Sequence, residues 1–142
     1  MFKTILVPID LEDESSSARA LDKAGGMAKS FGSQLVLMTV VPDFGMAMVA
    51  QYFPRDYEQK IMENARERLQ ALARESLPSD TQCEVEVGHG RAYDEILRVA
   101  KARGCDLILM ASHRPELRDY LLGPNAARVV RHAQCSVLVI RE

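Results

Sequence analysis

Little in this chain points to nucleic acid, membrane or metal. Its 18 Lys and Arg residues are nearly balanced by 20 Asp and Glu, for a net charge of -2. The basic residues are scattered, and no aromatic-basic stripe accompanies them. The electrostatic footprint of a DNA- or RNA-binding protein is therefore missing, and nothing draws the chain to an acidic membrane. No apolar run approaches the ~20 residues that span a bilayer. The N-terminal run Ile5-Leu6-Val7-Pro8-Ile9 is too short for a signal peptide and leads straight into Asp10, Glu12, Asp13 and Glu14. These absences predict a cytoplasmic protein with no nucleic-acid and no membrane partner. Cysteine is scarce: Cys83, Cys105 and Cys135 are an odd number at wide spacing, which makes neither a disulfide framework nor a zinc pattern. They read as reduced thiols acting as small core hydrophobes. His89, His113 and His132 are not at metal-ligand spacing.

The familiar chemical signatures are also missing. There is no G-x-x-x-x-G-K-[ST] loop, no G-x-G-x-x-G after the first apolar run and no G-x-S-x-G elbow.

What is present is a regular alternation. Hydrophobic residues make up 47% of 142 residues, enough for the core of one domain. Five short apolar runs, at 5–9, 35–41, 83–87, 107–110 and 136–140, alternate with longer stretches of helical period. Four runs are almost continuously apolar, as strands buried on both faces are. The third, Cys83-Glu84-Val85-Glu86-Val87, alternates as a half-exposed edge strand does. Between them lie stripes at Ala18, Leu21, Gly25 and Ala28; at Tyr57, Ile61, Ala65, Leu69 and Leu72; at Ile96, Leu97 and Ala100, closed by Gly104; and at Ala126, Val129, Val130 and Ala133. The order β-α-β-α-β-α-β-α-β predicts one doubly wound parallel sheet with helices on both faces. No linker or repeat divides residues 1–142. The stretch from Pro42 to Pro54 has no clean period and reads as a long loop or short extra helix after the second strand.

In such a sheet, ligands bind at the carboxyl ends of strands where the strand order reverses. Two strand ends carry polar groups. The first ends Pro8-Ile9-Asp10. The fourth runs Met110-Ala111-Ser112-His113-Arg114-Pro115, then on to Gly123-Pro124-Asn125-Ala126. A helix start after glycine offers free N–H groups and a positive dipole end suited to phosphate. Arg114 adds a forked cation. Each residue also has a plainer use. Asp10 equally serves as a helix cap, His113 as a loop residue, Arg114 as half of a surface ion pair, and His132 as a cation at a helix C-terminus. Their convergence is what favours a nucleotide.

These residues resemble the universal stress protein family over essentially the whole chain. The likeness opens at Lys3-Thr4-Ile5-Leu6-Val7-Pro8-Ile9-Asp10. It continues through Gly90, Ile96-Leu97 and Cys105-Asp106-Leu107-Ile108-Leu109-Met110, and closes at Arg131-His132-Ala133-Gln134-Cys135-Ser136-Val137-Leu138-Val139. The stretches Ser112-His113-Arg114-Pro115, Tyr120-Leu121-Leu122-Gly123 and Asn125-Ala126-Ala127 look most like the F-type branch. The resemblance implies an adenine nucleotide alpha hydrolase-like fold with strand order 3-2-1-4-5 and a homodimer formed through the fifth strand. It implies ATP, or AMP or ADP, with Mg2+ accompanying the phosphates. Adenine and ribose would then meet Pro8, Ile9, Asp10, Val40, Val41 and Met110. Phosphates would meet Ala111, His113, Arg114, Gly123, Asn125 and Ala126. The family's ATP-binding pattern is G-x-x-G, nine residues, then G with Ser or Thr. Here Ala111 and Arg114 take the two glycine positions, eight residues precede Gly123, and Pro124 takes the hydroxyl position. Arg114 and Asn125 are the compensating donors. Three functions fit: a nucleotide-binding stress or signalling module, a slow ATP hydrolase with Asp10 or His113 as base, or a dimeric interaction module that binds no nucleotide.

Overall fold

The structure is a computed structural model that describes residues 1–42, 56–112 and 124–141. Among the described residues nine elements follow one another: β1 Thr4–Pro8, α1 Glu14–Phe31, β2 Gln34–Val41, α2 Tyr57–Ser76, β3 Cys83–His89, α3 Ala92–Ala102, β4 Leu107–Ala111, α4 Pro124–His132 and β5 Ser136–Ile140. All strand pairs are parallel, in the order β3-β2-β1-β4-β5. The chain winds outward from β1 to β3, returns to the centre for β4 and ends at β5. The reversal falls between β1 and β4.

Side-chain alternation along the strands divides the core into two layers. Ile5, Val7, Leu35, Leu37, Leu107 and Leu109 face α1 and α2, where Ala20, Leu21, Ala24, Ala65 and Leu69 cover them. Leu6, Val36, Met38, Ile108 and Met110 face α3 and α4, where Ile96, Val99, Ala100, Ala126 and Val129 cover them. Small residues on α1 let that helix lie close to the sheet. Val130, expected on the buried stripe of α4, is 47% exposed. A nine-residue helix has room for a narrow stripe only, and Ala126 and Val129 already fill it.

The helix ends explain themselves locally. Asp13 caps α1 by accepting from Ser16 N at 3.1 Å. At the end of α3 the Gly104 N–H donates to Lys101 O and the Cys105 N–H to Ala100 O, with Gly104 at φ 61. This paired closure needs a left-handed residue, which is why glycine follows Arg103. Among the described residues no helix is long and apolar enough to cross a membrane.

Candidate functional site

The strand reversal leaves a cavity of about 340 Å3 at the carboxyl end of the sheet. β1 contributes Pro8 and, just beyond it, Ile9 and Asp10. β2 contributes Met38, Thr39 and Val40, and β4 contributes Met110 and Ala111. Ser16 and Ser17 enter from the first turn of α1, Ala92 from α3, and Pro124, Asn125 and Ala126 from the start of α4. Its size lies within the range of small-molecule sites. The apolar part of the lining comes from Val40 and Met110 of the α3/α4 layer and from Ile9 of the α1/α2 layer. The amino end of α4 supplies the rest of its character. Pro124 opens that helix and has no N–H to satisfy, so the donors of the first turn begin at Asn125.

Asp10 is not the cap of α1. Its Oδ1 accepts from Glu12 N at 2.9 Å, and its carbonyl accepts from Asp13 N at 3.0 Å and from the Ser17 hydroxyl at 2.8 Å. The side chain thus folds the β1–α1 turn, and Asp13, three residues on, does the capping. Arg68 of α2 braces the same turn by donating to Leu11 O at 3.1 Å and to Glu12 Oε1 at 3.2 Å. The end of β3 leads into α3, which contributes Ala92 to the cavity. Gly90 N donates to Val41 O at 3.0 Å, with Gly90 at φ 123, where a side chain would be strained. The Glu95 carboxylate accepts from His89 N at 3.1 Å and from Arg98 Nε at 2.7 Å. The Arg98 bond, aided by the His89 amide, holds the Glu95 carboxyl below its ordinary range. This keeps the entry to α3 fixed while Ala92 borders the cavity.

Eight of the residues singled out from the sequence line this one cavity: Pro8, Ile9, Asp10, Val40, Met110, Ala111, Asn125 and Ala126. Val41 does not. It is 6% exposed and packs in the layer with Leu35, Leu37 and Leu69, because alternation turns it to the opposite face from Val40. His113, Arg114 and Gly123 lie outside the described residues, as does all of the Pro42–Pro54 stretch after Pro42. Sequence reasoning missed Ser16, Ser17, Met38, Thr39, Ala92 and Pro124 as lining residues. The Ser15-Ser16-Ser17 run behind a capping aspartate was the available signal, since it places hydroxyls in a helix first turn beside the cleft. Among the described residues no group of three or more His, Cys, Asp or Glu is arranged to hold a metal.

The universal stress protein family model matches residues 1–141. Universal stress protein G of Escherichia coli O157:H7 is 30% identical over 143 residues, spanning 99% of this chain and 100% of that protein. Universal stress protein UspA from Lactobacillus plantarum has a solved structure that superposes with a TM-score of 0.73 at 24% identity, covering 98% of this chain and 97% of its own. A universal stress protein crystallised in complex with cAMP superposes with a TM-score of 0.62 at 25% identity, covering 99% of this chain and 97% of its own. The finer likeness to the F-type branch rests largely on residues 113–123, outside the described ones. With the strand order, the doubly covered sheet and the whole-chain match agreeing, the chain belongs to the universal stress protein family.

Proposed function

We propose that this chain binds an adenine nucleotide in the cavity at the β1–β4 reversal and acts as a dimeric cytoplasmic stress-response module. The observation that carries the reading is that apolar residues and a helix amino end line one opening. Val40 and Met110, with Ile9 in the same lining, offer apolar surface for a base. The α4 amides from Asn125 onward offer donors and a favourable dipole for phosphate. The cAMP complex of a related protein supports an adenine base as the ligand's core. Asp10 is the one carboxylate in the described lining, so a Mg2+ ion would be held mainly by phosphate oxygens and water. The base and ribose rest on Pro8, Ile9, Asp10, Val40 and Met110. The phosphates reach Ala111, Asn125, Ala126 and, from the sequence, His113, Arg114 and Gly123. A second copy pairs along β5.

Chromatography of the denatured, purified protein, followed by calorimetric titration with ATP, ADP and AMP, tests the reading. An adenine nucleotide is expected to copurify or to saturate one site per chain. No copurified nucleotide and no binding heat would leave the ligand-free interaction module as the function. Within a binding-competent protein, Arg114→Ala should weaken ATP by about tenfold to a hundredfold and AMP by less, because AMP leaves the outer phosphate positions empty. Phosphate release from ATP should stay slower than ~1 per second.

A further inference from the structure

A second cavity, of about 310 Å3, lies at the amino end of the sheet, lined from the last turns of α3 and α4 and the segments that follow them. Ala100, Cys105 and Ile108 are its buried lining, and Leu97, Ala133 and Cys135 are partly buried. It shares no lining residue with the cavity at the β1–β4 reversal. Two of the chain's three cysteines therefore border one opening, and both are free thiols. Register pairs Leu107 of β4 with Ser136 of β5, so Cys105 and Cys135 precede neighbouring parallel strands, one residue out of step. Adjacent strands lie about 4.8 Å apart and one step along a strand adds about 3.3 Å, a separation within the Cα range of disulfides. Both side chains belong to the α3/α4 layer. The helices before them pin the backbone on each side. Cys105 N donates to Ala100 O at 2.9 Å, and Ala133 N, two residues before Cys135, donates to Val129 O at 2.8 Å. Rotation about χ1 is the freedom that remains to each thiol. Cys83 sits apart, on the opposite edge strand β3, with its Sγ 3.7 Å from the Glu84 carbonyl.

We propose that Cys105 and Cys135 form a dithiol site that small hydroperoxides oxidise to a disulfide, joining the start of edge strand β5 to the start of β4. Cys135 is the more exposed of the two and reacts first. Its thiolate attacks the peroxide: an S–O bond forms, the O–O bond breaks, and an alcohol, or water from hydrogen peroxide, leaves with the proton. The sulfenic acid left on Cys135 is then attacked by the Cys105 thiolate. The S–S bond forms, the S–O bond breaks, and water leaves. Two thiols and one hydroperoxide thus give one disulfide, one alcohol and one water. Burial pushes the Cys105 thiol up to about 11, with Cys135 and Asp106 adding to the rise and Arg103 opposing it. Burial raises the Cys135 thiol as well. Thiolate is therefore scarce at neutral pH, and the pair closes slowly under sustained oxidant rather than acting as a rapid peroxide scavenger. The proposal does not depend on the nucleotide reading.

The test uses the Cys83→Ser chain, in which Cys105 and Cys135 are the only thiols, exposed to hydrogen peroxide in mildly alkaline buffer. Its intact mass should fall by two hydrogens per chain, and peptide mapping should find Cys105 joined to Cys135. Alkylation of both thiols should drop by about tenfold, until dithiothreitol restores it. Cys105→Ser in the same background should stop at a sulfenic acid on Cys135, which dimedone traps. Cys135→Ser should leave the buried Cys105 unoxidised over the same exposure. Thiols that both stay open to alkylation after the oxidant would overturn the proposal. So would sulfinic acids formed at both positions without a cross-link, or a disulfide found only between chains on a non-reducing gel. Should either serine variant fail to fold, the mass and peptide map of the Cys83→Ser chain decide alone: an intrachain Cys105–Cys135 bond supports the dithiol site, and its absence refutes it.

Discussion

The two edges of the sheet are built in opposite ways. At one edge, β3 carries Glu84 and Glu86 on the same face, and Arg103 from the turn after α3 bridges both carboxylates. Arg66 of α2 comes within 3.5 Å of the Val85 carbonyl on the same strand. At the other edge, β5 reads Ser136-Val137-Leu138-Val139-Ile140, without charge, proline or bulge, and Leu138 is 36% exposed. Unpaired strand edges invite pairing with another chain, and charge is a common means of discouraging it. The two edges thus differ in what they carry: β3 has charge that discourages pairing, and β5 has none. The same alternation that made Cys83 to Val87 legible as an edge strand therefore also bears on assembly.

The largest effect expected from breaking this comparison is at β5. Val139→Lys places an ammonium on the apolar edge and should convert a dimer to a monomer, read by light scattering. A wild type that is itself monomeric at micromolar concentration would sink the idea that β5 is a covered edge. A smaller effect is expected at β3. Arg103→Met leaves two glutamates two residues apart without their shared cation. The guanidinium is partly solvated, so the cost should be about 1 kcal/mol, read as a lower urea midpoint, with the oligomeric state unchanged. A midpoint equal to wild type would mean the cluster is only a solvated surface feature. New large assemblies would mean that its charge balance is what keeps β3 unpaired.

The smallest effect belongs to the middle of the sheet, which serves as the control for both edges. The Asp106 carboxylate accepts from Lys3 N at 3.0 Å and Thr4 N at 3.0 Å, tying the start of β4 to the start of β1. These amides hold its carboxyl below the usual range, led by the Lys3 amide. A depressed carboxyl contributes stability that is present above the unfolded-state value of ~3.9 and is lost as pH falls through the lower folded value. Asp106→Asn should therefore flatten part of the acid limb of a stability–pH curve and leave the neutral oligomeric state alone. An acid limb of unchanged slope would show that the two amides do not favour the ionised form.

Much of the fold was legible from the chain because strand and helix periods are local. Val36 and Leu37 are apolar neighbours because each strand there faces a helix layer on either side. Gly104 was readable as a helix stop because a left-handed closure needs glycine. The five strands and four helices of the described residues, and the carboxyl-end location of the cleft, followed from such signals, together with the family likeness. Less of the candidate site was legible. Asp10 stood out as an acidic strand end, but whether it or Asp13 capped α1 depended on turn geometry that spacing alone does not fix. Val40 and Val41 are equal in the sequence, and only the register of β2 against β1 and β3 sends one to the cavity and the other to the core.

By itself the sequence determined the alternation of elements, the parallel winding and the family, because each rests on periodicity or on an ordered match along the chain. The tertiary structure alone decided which distant groups meet. It brought Ser17 to the Asp10 carbonyl, Thr39 and Ala92 to the cavity wall, Arg103 to two glutamates of β3, and Arg19 to Ser112 across 93 positions. The physical reason is that periodicity reports which face of an element is buried. Hydrogen bonds and ion pairs between elements depend on register, helix placement and side-chain reach, which are set only when the layers pack.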